Sequence, residues 1–301
     1  MAFLLEPAPP FRLDLTVWAL RRRQNNVIDR WDGRTYSRTL ILSGKPVEVT
    51  VVQTGTADNP TLKVEATGAR IAGHTKLELK PGLERMLGLN TDLSRFYAFA
   101  LEDARLAPLI DRFRGVKPPR FPAVFEGLAN GIACQQLSLT VGITLLSRLA
   151  ERFGAKAGDT HAFPRPCDLA GQDPRRIRSL GFSEHKVRAL LEAAEEIVSG
   201  RLDLEALASL DDDSVQRRLL SLRGVGRWTA EYVLLRGLGR THVFPGDDVG
   251  ARKGLAKWLE LSSTPSDYAG TRAILDAWRP YAGLIYFHLL LQGLAGKGDV
   301  T

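Results

Sequence analysis

Two adjacent carboxylates, Asp247 and Asp248, follow a Pro245-Gly246 corner, and Trp228 and Tyr232 stand four residues apart in the chain just upstream. A carboxylate in such a place can stabilise a developing positive charge and can orient or deprotonate an attacking water. Rings four apart on a helix share one face, so the pair can flank a flat or cationic group. Plainer roles are open to all four residues. Acids after Pro-Gly commonly cap the helix that follows, here one beginning at Val249, and aromatic residues at helical spacing are commonly core.

Immediately before the rings lies Leu222-Arg-Gly-Val-Gly-Arg227. Val215, Leu219, Leu220 and Leu222 recur at helical spacing ahead of Gly224, and Ala230, Val233, Leu234 and Leu235 do so after Gly226. A Gly-Val-Gly corner can turn one helix into the next, with Val225 as its plug, and leave amides exposed at the second helix's N-terminus. Such amides bind anions, phosphate above all. From Ser214 to Lys257 the chain carries nine Lys or Arg, Arg223, Arg227 and Arg252 among them, against three acids, which is +6 of its formal +7. Excess charge concentrated beside an anion-ready hairpin points to a polyanion, with a nucleic-acid backbone the leading partner.

The elements that must position these groups divide the chain. Over residues 1–80, Arg38 to Ser43, Val47 to Thr54 and Thr61 to Thr67 are β-branched, partly alternating runs separated by Ser-Gly-Lys-Pro and Asp-Asn-Pro turns. They predict an antiparallel sheet, and Leu13 to Ile28 predicts a helix packed on it, with Arg21, Arg22 and Arg23 on its outer side. Over residues 81–301 amphipathic helical patterns take over, so the fold class expected is α+β, a sheet domain followed by a mostly helical one with a cleft between two helical parts. Val116 to Pro122 is a stiff connector, Val124 to Phe153 two helices with a bend at Gln135-Gln-Leu-Ser138, and Ser183 to Glu196 a helix with Ser183 as its cap. Pro265 to Trp278 and Tyr281 to Gly293 read as closing helices.

The run Leu222-Arg-Gly-Val-Gly-Arg-Trp-Thr-Ala-Glu-Tyr232, followed by Phe244-Pro-Gly-Asp-Asp248, resembles the helix-hairpin-helix DNA glycosylases, most of all the 3-methyladenine DNA glycosylase II (AlkA-type) branch. The resemblance implies an enzyme of base excision repair that flips a damaged base out of double-stranded DNA and hydrolyses its bond to the sugar, leaving an abasic site. Arg223, Gly224, Val225, Gly226 and Arg227 would then hold DNA phosphate, with Arg252 a further DNA contact, and the carbonyls of Leu220, Leu222 and Val225 would hold a structural Na+ or K+. Asp248, the second acid, takes the catalytic place and leaves Asp247 as the helix cap. Trp228 and Tyr232 would line the base pocket, where a purine made cationic by alkylation is already a good leaving group. Gln135, Gln136 and Leu137 resemble the corner that fills the gap left by the flipped base, Gln136 aligning with the wedge. Pro9-Pro-Phe11 resembles the start of the family's N-terminal sheet domain, and the nearby Trp18 reads as core, with the base pocket as its alternative.

Two departures bear on activity. Bifunctional relatives carry a Schiff-base lysine two residues after the second hairpin glycine, where this chain has Trp228, so no strand cleavage is expected. The AlkA-type pocket has a further tryptophan where this chain has Leu290; Tyr281, Tyr286 or His288 could compensate, and the substrates could extend from 3-methyladenine and 7-methylguanine to hypoxanthine, uracil or 8-oxoguanine. A non-catalytic DNA-binding module needs only the hairpin and its basic flank; the Pro-Gly-Asp-Asp corner is what it does not need.

Cys134 and Cys167 cannot by themselves hold a four-cysteine cluster, and five scattered histidines show no ligand spacing, so no catalytic transition metal and no required cofactor are expected. The chain has no apolar run of membrane-spanning length and no signal-peptide pattern at its start. A monomeric cytoplasmic protein in contact with the nucleoid is the expectation.

Overall fold

A computed structural model describes residues 1–68, 75–296 and 298. Five strands, β1 (Ala2–Leu5), β2 (Arg30–Trp31), β3 (Thr35–Leu42), β4 (Lys45–Gly55) and β5 (Pro60–Thr67), form an antiparallel sheet in the order β1-β5-β4-β3-β2. The alternation that predicted strands sets its two faces. Leu62, Val64 and Ala66 of β5 are buried while Lys63 and Glu65 between them are exposed, and Val51 of β4 pairs with Val64. Leu13, Val17 and Leu20 from the helix Leu13–Arg21, with Leu79, Leu83 and Met86 from the helix Thr75–Leu87, cover the apolar face.

The first helix is shorter than its pattern predicts. It ends at Arg21, and Arg22 takes a left-handed φ of 62° and turns the chain inward. The expectation that Arg21 and Arg22 lie on the outer side is overturned, since they are 5% and 4% exposed. Arg21 donates to the carbonyls of Arg23, Gln24 and Trp31, so its charge-bearing head satisfies the loop that follows the helix. Periodicity treats arginine as outward-facing and does not register a buried guanidinium among carbonyls.

The helices build two further cores. One joins Val124–Cys134, Leu139–Phe153, Glu184–Val198, Asp212–Leu220 and Arg227–Arg236. The other joins Ser94–Leu101, Leu106–Arg112, Val249–Trp258, Tyr268–Leu275 and Ala282–Ala295, with Leu15, Trp18 and Ala19 borrowed from the first helix. Buried arginines tie these cores to the sheet. Arg38 of β3 bridges Asp29 at 2.6 Å and Glu126 at 2.5 Å, and Arg236 lies over the rings of Phe121 and Phe287 while donating to the carbonyl of Ala19 at 2.8 Å. Burying a charge is costly unless hydrogen bonds compensate it, and these bonds fix Arg38 of the sheet against the helix Val124–Cys134 and Arg236 against the first helix. Among the described residues no helix is long and apolar enough to cross a membrane.

Candidate active site

The hairpin forms as its glycines require. Asp211 caps the helix Asp212–Leu220, and at the corner Gly224 adopts φ 73°. A Cβ there would sit 2.9 Å from Ala189 Cβ and 3.2 Å from His185 Nε2, so both conformation and space demand glycine. Val225, 8% exposed, plugs the corner and donates its amide to the carbonyl of Leu222 at 3.2 Å. Gly226 begins the helix Arg227–Arg236 with no side-chain cap, and a Cβ on it would meet nothing within 4 Å. Gly226 thus offers no side chain to cap the first amides of that helix, and nothing crowds the space in front of it.

The bend between the helices Val124–Cys134 and Leu139–Phe153 is fastened to this hairpin. Gln135 Nε2 donates to the carbonyl of Gly224 at 2.7 Å and to Thr229 Oγ1 at 2.8 Å. Lys186 Nζ donates to the carbonyls of Ala133 at 2.9 Å and Gln135 at 2.7 Å, a second hold on the bend. Ser183 caps the helix that carries Lys186, as its position predicts. Gln136, at a left-handed φ of 53°, is exposed, and Leu137 is 42% exposed. Of the three corner residues, Gln135 is occupied in holding the bend, while Gln136 and Leu137 stand out from it.

The acidic corner is positioned by a buried glutamate. Glu231 accepts the Gly246 amide at 3.1 Å and the Tyr268 hydroxyl at 2.5 Å, and burial pushes its pKa upward. Asp247 receives both Nε and Nη2 of Arg227, at 2.7 and 3.0 Å, and that guanidinium lies 3.9 Å over the Tyr268 ring. The helix cap falls to Asp248 and not to Asp247, a correction of the division of roles between them. Asp248 Oδ1 accepts the Ala251 amide at 2.9 Å, while Oδ2 accepts from Trp228 Nε1 and Tyr286 Oη, each at 3.3 Å. One oxygen caps and the other is held among cleft-lining side chains, so capping leaves the second oxygen free to face the cleft.

The cleft has a volume of about 1110 Å³ and runs between the two helical cores. Trp228, Tyr232, Asp248 and Tyr286 line it, with Gly226, Arg227 and the Gln135 to Leu137 corner at its rim. The Trp228 and Tyr232 rings lie 5.5 Å apart at 30°. Tyr232 is nearly buried, at 3% exposure, so the accessible aromatic wall is mostly Trp228.

Three of the named residues lie outside the cleft, Trp18 in keeping with its reading as core. Trp18 is core, packed among helices and carrying the Arg21 guanidinium 4.9 Å over its ring. Tyr281 packs on Phe96 and Phe99, at 5.2 and 5.1 Å, outside the cleft. Arg252 donates to the carbonyls of Pro265 and Ser266, because its place on the helix Val249–Trp258 turns it from the cleft that Lys253 and Lys257 line instead. Arg223 is exposed and pairs with Glu192 at 2.6 Å. Of the residues proposed to replace the absent tryptophan, Tyr286 lines the cleft, as Leu290 itself does, whereas His288 is buried against Phe96 and Phe113. Periodicity also passed over Arg22, which lines the cleft, and Lys186 and Glu231, which support it.

Among the described residues no group of three His, Cys, Asp or Glu could hold a metal ion. Residues 130–280 match the model of the HhH-GPD superfamily base excision DNA repair proteins. The chain is 26% identical over 281 residues to the putative DNA-3-methyladenine glycosylase YfjP of Bacillus subtilis, covering 93% of this chain and 95% of that one. It is 27% identical over 228 residues to DNA-3-methyladenine glycosylase 2 of Escherichia coli, covering 73% and 77% of the two. Its structure is similar to that of a 3-methyladenine DNA glycosylase from Archaeoglobus fulgidus, with a TM-score of 0.83, 26% identity, and coverage of 96% of this chain and 97% of that one.

Proposed function

The chain belongs to the HhH-GPD superfamily of base excision DNA repair proteins, and from that premise we propose that it is a monofunctional DNA glycosylase that releases alkylated purines, such as 3-methyladenine and 7-methylguanine, by hydrolysis. The observation that carries this reading is the Asp248 carboxylate, held toward the cleft by Trp228 and Tyr286 beside a hairpin whose Gly226 leaves the following amides without a side-chain cap. DNA phosphate sits on the amides after Gly226, with Arg227, Lys253 and Lys257 adding charge around the cleft. Gln136 and Leu137 occupy the space in the stack that the flipped nucleotide leaves. The extruded base lies against Trp228, where a cationic purine gains roughly 0.5–2 kcal/mol from the indole face.

Asp248 then faces the sugar. As the base leaves, positive charge grows at C1′, and the carboxylate stabilises it and orients the water that attacks. A methylated purine departs neutral, so no general acid is required. Trp228 stands where bifunctional relatives have a lysine, and it offers no amine for a covalent intermediate. The carbonyls of Leu220, Leu222 and Val225 are proposed to hold Na+ or K+, and a monomer acting on the nucleoid suffices.

The test is incubation with methylated duplex DNA. Free methylated purines and intact strands, cleaved only after heat or alkali, are expected. Absence of base release by protein that binds the duplex overturns the enzyme reading in favour of a binding module, and strand scission without alkali overturns the monofunctional one.

A further inference from the structure

The cleft is lined by a buried guanidinium that the proposed reaction leaves without a task. Arg22, 4% exposed and turned inward by its left-handed backbone, lines the cleft beside Tyr232. Its Nη1 donates to Tyr232 Oη at 2.8 Å and its Nη2 to Asn130 Oδ1 at 2.5 Å, while Nε finds no acceptor among the described residues. Asn130 Nδ2 in turn donates to the carbonyl of Glu126 at 3.0 Å, which fixes the amide with its oxygen toward Arg22. Among the described residues no carboxylate forms an ion pair with Arg22.

The inner wall is consequently rich in donors. A guanidinium offers five N–H groups and no acceptor. Tyr232 Oη accepts from Arg22, which leaves its own proton to donate. Tyr286 Oη already donates to Asp248. A base entering this space meets hydrogens that need oxygen or nitrogen lone pairs, and an amino group presented there leaves buried donors facing donors.

Resting on the glycosylase reading, we propose that Arg22 is the specificity-determining residue of the cleft, selecting flipped purines that bear a carbonyl oxygen at the 6-position over those that bear an amino group. Among methylated purines this favours 7-methylguanine over 3-methyladenine, and it extends acceptance to hypoxanthine, which has the same carbonyl without a methyl group. A charge-assisted hydrogen bond gained by one base and denied to the other corresponds to a preference of about tenfold or more.

The experiment uses a single pool of duplex DNA treated with a radiolabelled methylating agent, which contains both lesions. Release of each base is measured in the same tube and divided by its spontaneous release, so losses of folded protein cancel in the ratio. The wild type is expected to favour 7-methylguanine by about tenfold on that scale. Arg22→Asn, whose residue tolerates the left-handed backbone, is expected to bring the ratio near one. Equal loss of both activities in Arg22→Asn, or a wild-type ratio favouring 3-methyladenine, overturns the proposal. Should that variant fail to fold, free bases added to the wild-type reaction give the same comparison. Inhibition about tenfold stronger by free 7-methylguanine than by free 3-methyladenine supports the proposal, and equal or reversed inhibition overturns it. Release of neither base by the wild type overturns the glycosylase reading itself, an outcome distinct from release of both without preference.

Discussion

Trp228 Nε1 donates to Asp248 Oδ2 at 3.3 Å, so the side chain that walls the cleft also aims the carboxylate at its centre. Tyr286 supports the same oxygen from the closing helix, and Ala251 fixes the other. The carboxylate is thus oriented by three elements before any substrate arrives, which is what electrostatic stabilisation of a short-lived cation requires.

Asp248→Asn keeps a good helix cap, since asparagine caps as well as aspartate, and it removes the negative charge. Single-turnover base release is expected to fall by about a hundredfold or more, with Tm and duplex affinity nearly unchanged. Retained turnover by folded protein would remove Asp248 from the chemistry.

Gly224→Ala forces a side chain into a left-handed backbone and against Ala189, whose Cβ would lie 2.9 Å away. The strain alone is worth about 1–2 kcal/mol. Thermal unfolding should show lower stability, and duplex affinity at fixed salt should drop because the amides after Gly226 move. Gly226→Ala has open space around it and is expected to affect stability less. Equal behaviour of the two variants would contradict the hairpin geometry.

Lys186→Met retains the aliphatic stem and deletes the ammonium that joins the carbonyls of Ala133 and Gln135. Loss of charge-assisted hydrogen bonds costs about 1.5–3 kcal/mol of stability. Because these carbonyls set the bend bearing Gln136 and Leu137, binding to a duplex containing an abasic site should weaken several-fold more than binding to undamaged duplex. An equal change for both duplexes would confine Lys186 to a structural role.

His288 is 1% exposed, and burial pushes its pKa from 6.5 down to about 4. The unfolded chain takes up this proton near pH 6.5 and the folded chain only near pH 4, so stability contributed by the neutral imidazole is present at pH 7 and is lost as pH falls between those values. The loss amounts to about 3 kcal/mol at its limit. Urea denaturation at pH 7, 6, 5 and 4 should show this slope, and His288→Leu should flatten it; an unchanged slope in the variant would assign it to other groups.

Local pattern was enough to place the hairpin, the acidic corner, the three long strands and the bend at Gln135 to Ser138, because glycine, proline and apolar spacing act over a few residues. Family resemblance then singled out Asp248, which the corner by itself left between catalysis and capping. The structure shows the capping bond and leaves the second oxygen on the cleft, since a carboxylate has two oxygens and only one is needed by the Ala251 amide.

What the chain alone determined is therefore the set of helices and turns, together with the anion-ready bend and the acid about twenty residues beyond it. Tertiary structure decided which distant groups share the cleft. Arg22 meets Tyr232 across 210 residues of sequence, and no local spacing marks it as inward, because its direction comes from one left-handed residue at a helix end. Trp18 and Tyr281 went to core for the complementary reason: aromatic side chains pack wherever apolar surface converges, and that convergence is set by how the two helical cores and the sheet close on one another.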